Sequence, residues 1–512
     1  MGRRRRKVTK SERQRSSFHA IPWKRLVNPY APLEIGSIEQ IEQIHNASLD
    51  ILETIGIDFL DAEALSIWEQ AGAKVDHKAQ HVWIDRGLVM ELIALSPEQF
   101  TLKARNPARD MMLGGNHINF LPGGGHAFVS DLDGGKREGT REDFANILKL
   151  VQMCNVMHGT GVALIEMMDI PISHRHLHRV LMNFTLSDKP TTGAAHDRII
   201  PQDVLSMARI VFGDAIMDNP VDPVVIGIVN VNSPLRFDDR MLGGLISYAR
   251  AGQALIMTPF IIAGAMSPIT IAAAVAQQNA EVLAGASLAQ LVRPHTPVLY
   301  GPFSTNADMR SGSPAFGTPE GAWVSSIAAQ LARFYKIPSR GNGGLTNANS
   351  NDAQSAYEAL WTLWPTVMSH NNYIMHGAGW LETGLTISME KLILDMENLA
   401  MFQHFLQGFE VSEETLALDM MAEIGPGGHH FGTSHTQARF STEFYEPLIS
   451  TRQALDVWRA QGAPDAEQRA NHLWKQLLRE YEPPPIDAGI KQGLDEYVAR
   501  RERELEGVDL YY

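Results

Sequence analysis

The sequence predicts an α/β fold, a (β/α)8 TIM barrel with helical additions at both ends. Three observations point there. Short apolar runs ending in glycine recur through the middle of the chain. Strongly helical stretches separate them. The runs are apolar throughout rather than alternating, as expected of parallel strands buried on both faces. The runs are INFLP, MHGTGVALI, PTTGAA, PVVIGIVNVN, ALIMTPFIIAG, PVLYGPFST, PSRGNGG and YIMHGAGW. About eight such units, each roughly thirty to forty residues with its helix, are what the barrel requires. A doubly wound open sheet is the competing fold. It is disfavoured because no G-x-G-x-x-G opens a first strand–helix unit.

Taken in chain order, residues 1–29 read as a disordered basic arm, with Arg3 to Lys7 as a solid positive run. Residues 30–115 read as a helical N-terminal region with hairpins. A first helix starts near Ser37, a capping residue, and stops at Gly56. A second runs through Asp61–Gln70, and VWIDRGLVMELIALSP supplies a third. From Phe100 the pattern shortens into extended runs broken by Gly, Pro and Asn, which fits hairpins. Residues 116–400 carry the barrel, and 401–512 form a C-terminal helical extension interrupted by IGPGGHHFGTSHTQ.

Composition limits the function. A net charge of −14 over 512 residues is the wrong sign for a nucleic-acid binder. No apolar run is long enough for a membrane span, and the basic N-terminus lacks the apolar core of a secretory signal. The single cysteine, Cys154, excludes an intrachain disulfide and reads as a buried core thiol. A cytoplasmic location suits these features.

In a barrel of this type the chemistry sits after the strands. The residues to weigh there are Glu166, Asn230, Asn232, Phe260, Tyr300, Phe303, Asn306, Asn342, Asn347, Asn349, Asp352, His376, Trp380 and Glu382. This set is rich in aromatics and amides and poor in acid–base partners. Aromatic faces attract a methylated ammonium through the ring quadrupole, and a carboxylate adds Coulomb attraction. From it, Tyr300, Phe303, Asn347, Asn349, Asp352, His376, Trp380 and Glu382 are the candidate substrate-binding residues. Packing is the alternative for each aromatic, and capping for Asp352 and Glu382. Gly341, Gly343 and Gly344 let the backbone turn closely in the SRGNGG segment. A second cluster, His429, His430 and His435 with Glu423 and Glu443 nearby, would suit zinc in residue type, but its spacing is no recognised framework. It keeps open a metal-dependent barrel hydrolase. A non-catalytic protein that binds methylated amines also stays open.

The stretches LPGGGHAFVSDLDGGKREGTREDF, HGAGWLETGLTISMEKLILDME and GPGGHHFGTSHT, with the loop from Arg340 to Asp352, resemble the trimethylamine methyltransferase family. The resemblance spans nearly the whole chain except the basic arm. It implies a methyltransferase that presents a methylated amine to the Co(I) form of a corrinoid (cobalamin). That cofactor would be carried by a separate cognate protein rather than bound tightly by this chain. It is also compatible with a homo-oligomer, and implies no metal site, nucleic acid or membrane partner. Founding members carry pyrrolysine, placed here only loosely within Thr346 to Asp352, where every residue is standard. That departure resembles the pyrrolysine-free branch and favours a quaternary, betaine-like amine such as glycine betaine over trimethylamine. A quaternary ammonium leaves as a neutral amine, so its demethylation needs orientation and desolvation rather than a general acid.

Overall fold

The structure, a computed structural model, describes residues 21–161, 163–218 and 222–510. Parallel strands and helices alternate through its centre, making an α/β fold. Strands Thr191–Ala194, Val225–Val231, Ala254–Pro259 and Val298–Tyr300 pair in that order as one parallel sheet. Strands His117–Phe120, Tyr373–Met375 and Arg340–Asn342 form a second parallel set. Single contacts join the two sets on both sides. Tyr300 N–H donates to Pro338 O at 2.8 Å, beside a lone parallel pairing of Tyr300 with Ser339. On the other side, His158 N–H donates to Phe120 O at 2.8 Å and Thr160 N–H to Pro190 O at 3.0 Å. The described residues of the run MHGTGVALI, expected to be a strand, form none, apart from a lone bridge of Ile165 with His126. Their backbone makes these isolated bonds rather than a continuous ladder.

Strand alternation sorts the side chains. Ile226, Ile256, Leu299, Tyr373 and Met375 fill the interior between the sheets. The hairpin Phe100–Leu102 with Met111–Leu113 adds Phe100, Leu102, Met111 and Leu113 to the same interior cluster. The alternate residues Val225, Leu255, Met257 and Tyr300 face outward into the helix layer. The longest helix of that layer, Ile271–Val292, is apolar nearly all round and buried along most of its length.

The N-terminal helices follow local capping chemistry. Helix Ile38–Asp50 begins with a capping box between Ser37 and Gln40, and the chain turns out at Gly56 with φ 84°. Asp61 caps Ala62–Gln70, and Asp85 caps Arg86–Ile93.

The basic run Arg3 to Lys7 lies outside the described residues. Residues 21–29, expected to belong to a disordered arm, are ordered. Leu26–Val27 pairs antiparallel with His117–Ile118, Leu26 and Asn28 are buried, and the Asn28 side-chain amide donates to Val367 O at 3.0 Å. An apolar residue and an amide with partners outweigh the local charge of Lys24 and Arg25. Cys154 is buried as expected, and burial pushes its thiol up to about 11. No helix among the described residues is long and apolar enough to cross a membrane.

Candidate active site

The C-terminal ends of parallel strands are where open or closed α/β sheets place ligands. A cavity of about 500 Å³ lies there. Its walls come from several strand ends: Ala194 and His196, Ile228 and Asn230, Thr258, Phe303, Arg340, Met375 and His376. Glu166, Arg175 and Arg179 line it as well, with Gly124, Gly125, Ala163, Ile172 and Ala195 between them.

Two kinds of surface meet in it. One is aromatic. Phe303 stacks on Phe260 (ring centroids 5.1 Å) and on Phe316 (5.6 Å, planes 8° apart). His376 lies 5.3 Å from the Phe303 ring, and Trp380 stands edge-on behind both. The other surface is charged. Glu166 accepts from Arg175 Nη1 at 3.2 Å and Arg179 Nη2 at 2.5 Å. The Arg340 guanidinium sits 4.8 Å from the Phe303 ring centre, a cation–π contact, and donates through Nη1 to Pro302 O at 3.2 Å.

The histidines here are held neutral. Burial drives His376 well below its usual range, and the nearby Arg340 and His126 push the same way. Burial also lowers His196, and brings His126 to about 4. His376 adopts a left-handed backbone (φ 58°), uncommon for a residue with a side chain. The neighbouring strand end approaches it so closely that a Cβ on Gly343 would lie 2.4 Å from the His376 carbonyl oxygen. Gly341 is needed for the same reason, since a Cβ there would meet Thr366 at 2.5 Å. Neither glycine has the positive φ of a tight turn; close packing requires them.

The sequence-predicted residues separate in space. Phe303 and His376 line the cavity together. Trp380 touches both but is enclosed, 4% exposed, between His126, Phe303, Phe316 and His376. Tyr300 faces away, and its hydroxyl donates to Asn279 Oδ1 at 2.9 Å on the helix Ile271–Val292. Asn347 ties loops together, donating to Pro314 O and Thr383 Oγ1 and accepting from Phe316 N–H. Asn349 is exposed. Asp352 caps helix Ala353–Met368 through Ser355 N–H at 3.1 Å. Glu382 is ion-paired with Lys136 and accepts from Thr386 Oγ1 at 2.9 Å. Of the wider set, Asn230 and Glu166 line the cavity, and Phe260 stacks behind Phe303. Asn232 and Asn306 bond to Asp238 and Thr318. His429 and His430 are exposed, and no group of three or more His, Cys, Asp or Glu among the described residues is arranged to hold a metal ion.

With this geometry in view, comparison with known proteins is decisive on family. The model for trimethylamine methyltransferase (MTTB) matches residues 2–506. The chain belongs to the trimethylamine methyltransferase family. It is thus a methyltransferase. It is 40% identical to the glycine betaine methyltransferase of Desulfitobacterium hafniense (strain Y51), over 91% of this chain and 97% of that one. It is 32% identical to a trimethylamine methyltransferase of Desulfitobacterium hafniense (strain DSM 10664 / DCB-2), over 91% and 94%. A trimethylamine methyltransferase of Methanosarcina acetivorans is 28% identical over 93% and 97%. Among solved structures, the monomethylamine methyltransferase of Methanosarcina barkeri aligns over 91% of each chain at 11% identity, with a TM-score of 0.47.

Sequence reasoning on this trimethylamine methyltransferase family member passed over Arg340, Arg175 and Arg179 as site residues. A signal for Arg340 was present: an arginine inside a glycine-rich strand that is otherwise buried. Arg175 and Arg179 stand four apart on helix Arg175–Leu186, a spacing that puts both on one face.

Proposed function

We propose that this chain moves a methyl group from a quaternary, betaine-like amine to the Co(I) of a corrinoid protein. The observation that carries the reading is the strand-end cavity itself, which offers an aromatic wall and, among the described residues, no side chain left free to act as a general acid. Glu166 is held by two arginines, and His376 and His196 are kept neutral by burial. That fits a reaction in which a neutral amine leaves without being protonated.

The corrinoid, carried by its own protein, supplies the nucleophilic metal when docked. This chain's residues bind the amine, exclude water around it and fix the carbon–nitrogen bond in line with the attack. Phe303, backed by Phe260 and Phe316, gives a rigid wall. His376, in its neutral form, does not repel an ammonium.

The reading includes a closed (β/α)8 barrel over residues 116–400, with the segment of His158 and Thr160 in the place of the eighth strand. Its support is the set of bonds from His158 to Phe120, Thr160 to Pro190 and Tyr300 to Pro338, which link the two parallel sets on both sides. Residues 30–115 and 401–512 are then the flanking additions, and the protein works in the cytoplasm. Incubation with cob(I)alamin and a panel of methylated amines tests the reading. Methyl-Co(III) spectra should form with glycine betaine and hardly at all with trimethylamine. Robust trimethylamine turnover with none on quaternary amines would sink it.

A further inference from the structure

We propose that this chain assembles as a symmetric dimer in which an arm of each copy, residues 409–444, lies across a bare aromatic stripe on the other.

The stripe is on helix Ala353–Met368. The inner face of that helix, Ala359, Leu363 and Val367, is buried. Its outer face should then be polar. Instead it carries Tyr357, Leu360, Trp361 and Trp364, at the i, i+3, i+4, i+7 spacing of a second apolar face. Tyr357 is 61% exposed, Trp361 53% and Trp364 44%. Glu358, the one charged residue of the helix, accepts from Thr346 Oγ1 and Asn347 N–H, so the stripe bears no charge. The stripe continues onto helix Met389–Phe405, where Phe405 lies 5.2 Å from Trp364 and Met401 is half-exposed.

The arm leaves just past that helix. It forms three short helices, Glu413–Leu416, Leu418–Ile424 and Ser434–Arg439. Its hydrogen bonds among the described residues stay within the segment. None of its side chains joins a hydrophobic cluster of the described core, which the chain rejoins at Tyr445 and Ile449. Phe409 is 87% exposed, Phe431 86%, Phe440 72% and Phe444 77%. A segment that orders its backbone without burying its apolar side chains lacks the compensation that ordering needs. A second surface supplies it.

Three features select a second copy as that surface. The first is area. At roughly 150–250 Å² for a fully exposed aromatic side chain, the aromatics of the stripe and the phenylalanines of the arm offer about 800–1,300 Å² per chain. Two copies together would cover about 1,600–2,600 Å², the size of a stable homodimeric interface. The second is charge. The arm holds six acidic residues against Arg439 alone, so two arms repel each other and each fits an uncharged stripe instead. The third is continuity. Stripe and arm adjoin on one chain, and a single two-fold axis covers both in both copies. The last turn of helix Met389–Phe405 lies by Tyr30, on the side where Leu26–Val27 pairs with the start of strand His117–Phe120. That side is away from the strand ends, so the cavity stays open in the dimer.

Sedimentation equilibrium of the full chain measures the association and its Kd. The wild type should be a dimer or a multiple of one. Leu360→Glu with Trp361→Glu should raise the dimer Kd on the order of 100-fold, and Phe431→Glu with Phe440→Glu should do the same. Circular dichroism should be unchanged, because all four side chains are exposed in the single chain. A monomeric wild type would overturn the proposal and give the stripe and the arm to a different protein. A dimer whose Kd either pair of substitutions leaves within about threefold would also overturn it, since contact between arm and stripe needs both. If the variants fail to fold, hydrogen exchange of the wild type decides. Amides of residues 409–444 should lose protection as the protein is diluted through the Kd, and exchange independent of concentration would overturn the proposal.

Discussion

Trp380 offers a sharp test of whether an aromatic residue holds the substrate or supports the residues that do. Its indole is 4% exposed and stands edge-on to His376 at 4.7 Å, Phe316 at 5.5 Å and Phe303 at 6.0 Å. Gly384 packs against it so tightly that a Cβ there would come within 2.4 Å of the ring. Its Nε1–H is buried without a hydrogen-bond partner among the described residues. Trp380→Phe therefore leaves no protein group newly unsatisfied, and loss of the unpaired N–H offsets part of the lost packing. Its net destabilisation should be about 0–2 kcal/mol. Trp380→Ala opens a void behind both Phe303 and His376 and should destabilise by about 3–5 kcal/mol. Urea unfolding measures these differences. Steady-state methyl transfer to cob(I)alamin gives KM and kcat on the protein that remains folded. The packing account expects a KM for Trp380→Phe within about threefold of wild type. A rise beyond about tenfold, with unfolding unchanged, would show that the indole face contacts the ammonium directly and would refute this account.

The His158 ring accepts from Phe120 N–H at Nδ1 (3.0 Å) and donates through Nε2 to Lys24 O (3.1 Å), an arrangement only the neutral ring can make. Burial lowers its pKa from 6.5 to about 4. The folded value lies below the unfolded one, so its contribution is complete above about pH 6.5 and falls away toward pH 4, by about 3 kcal/mol in all. His158→Asn keeps an acceptor for Phe120 but does not titrate. The stability gap between wild type and variant should narrow over that window, and a gap independent of pH would contradict the assignment. Asp352→Ala should lower Tm through loss of the helix cap while leaving KM for the amine unchanged; a selective rise in KM would place Asp352 on the substrate. Deleting residues 1–16 should leave methyl transfer at the wild-type rate, and a large loss in a protein with unchanged circular dichroism would assign the basic arm to the reaction.

Much of the architecture could be read from the chain alone because it depends on local physics. The capped start at Ser37 and the stop at Gly56 are short-range hydrogen-bonding and steric effects, and they recur in the structure. The uniformly apolar strand runs required burial on both faces, so alternation with helices implied a parallel α/β arrangement. Family membership was legible in the same way, through stretches distributed along the whole chain. What the sequence could not decide was direction. A shift of one residue along a strand sends a side chain to the opposite face. Tyr300 consequently turns to Asn279 in the helix layer, while Phe303, past the strand end, lines the cavity. Nor could local pattern tell which polar groups find partners. Asn347, Asp352 and Glu382 spend their hydrogen bonds on loops and caps. Arg340 meets no carboxylate among the described residues. That difference arises from contacts between residues far apart in the chain, and only the tertiary structure determines which buried groups find a partner.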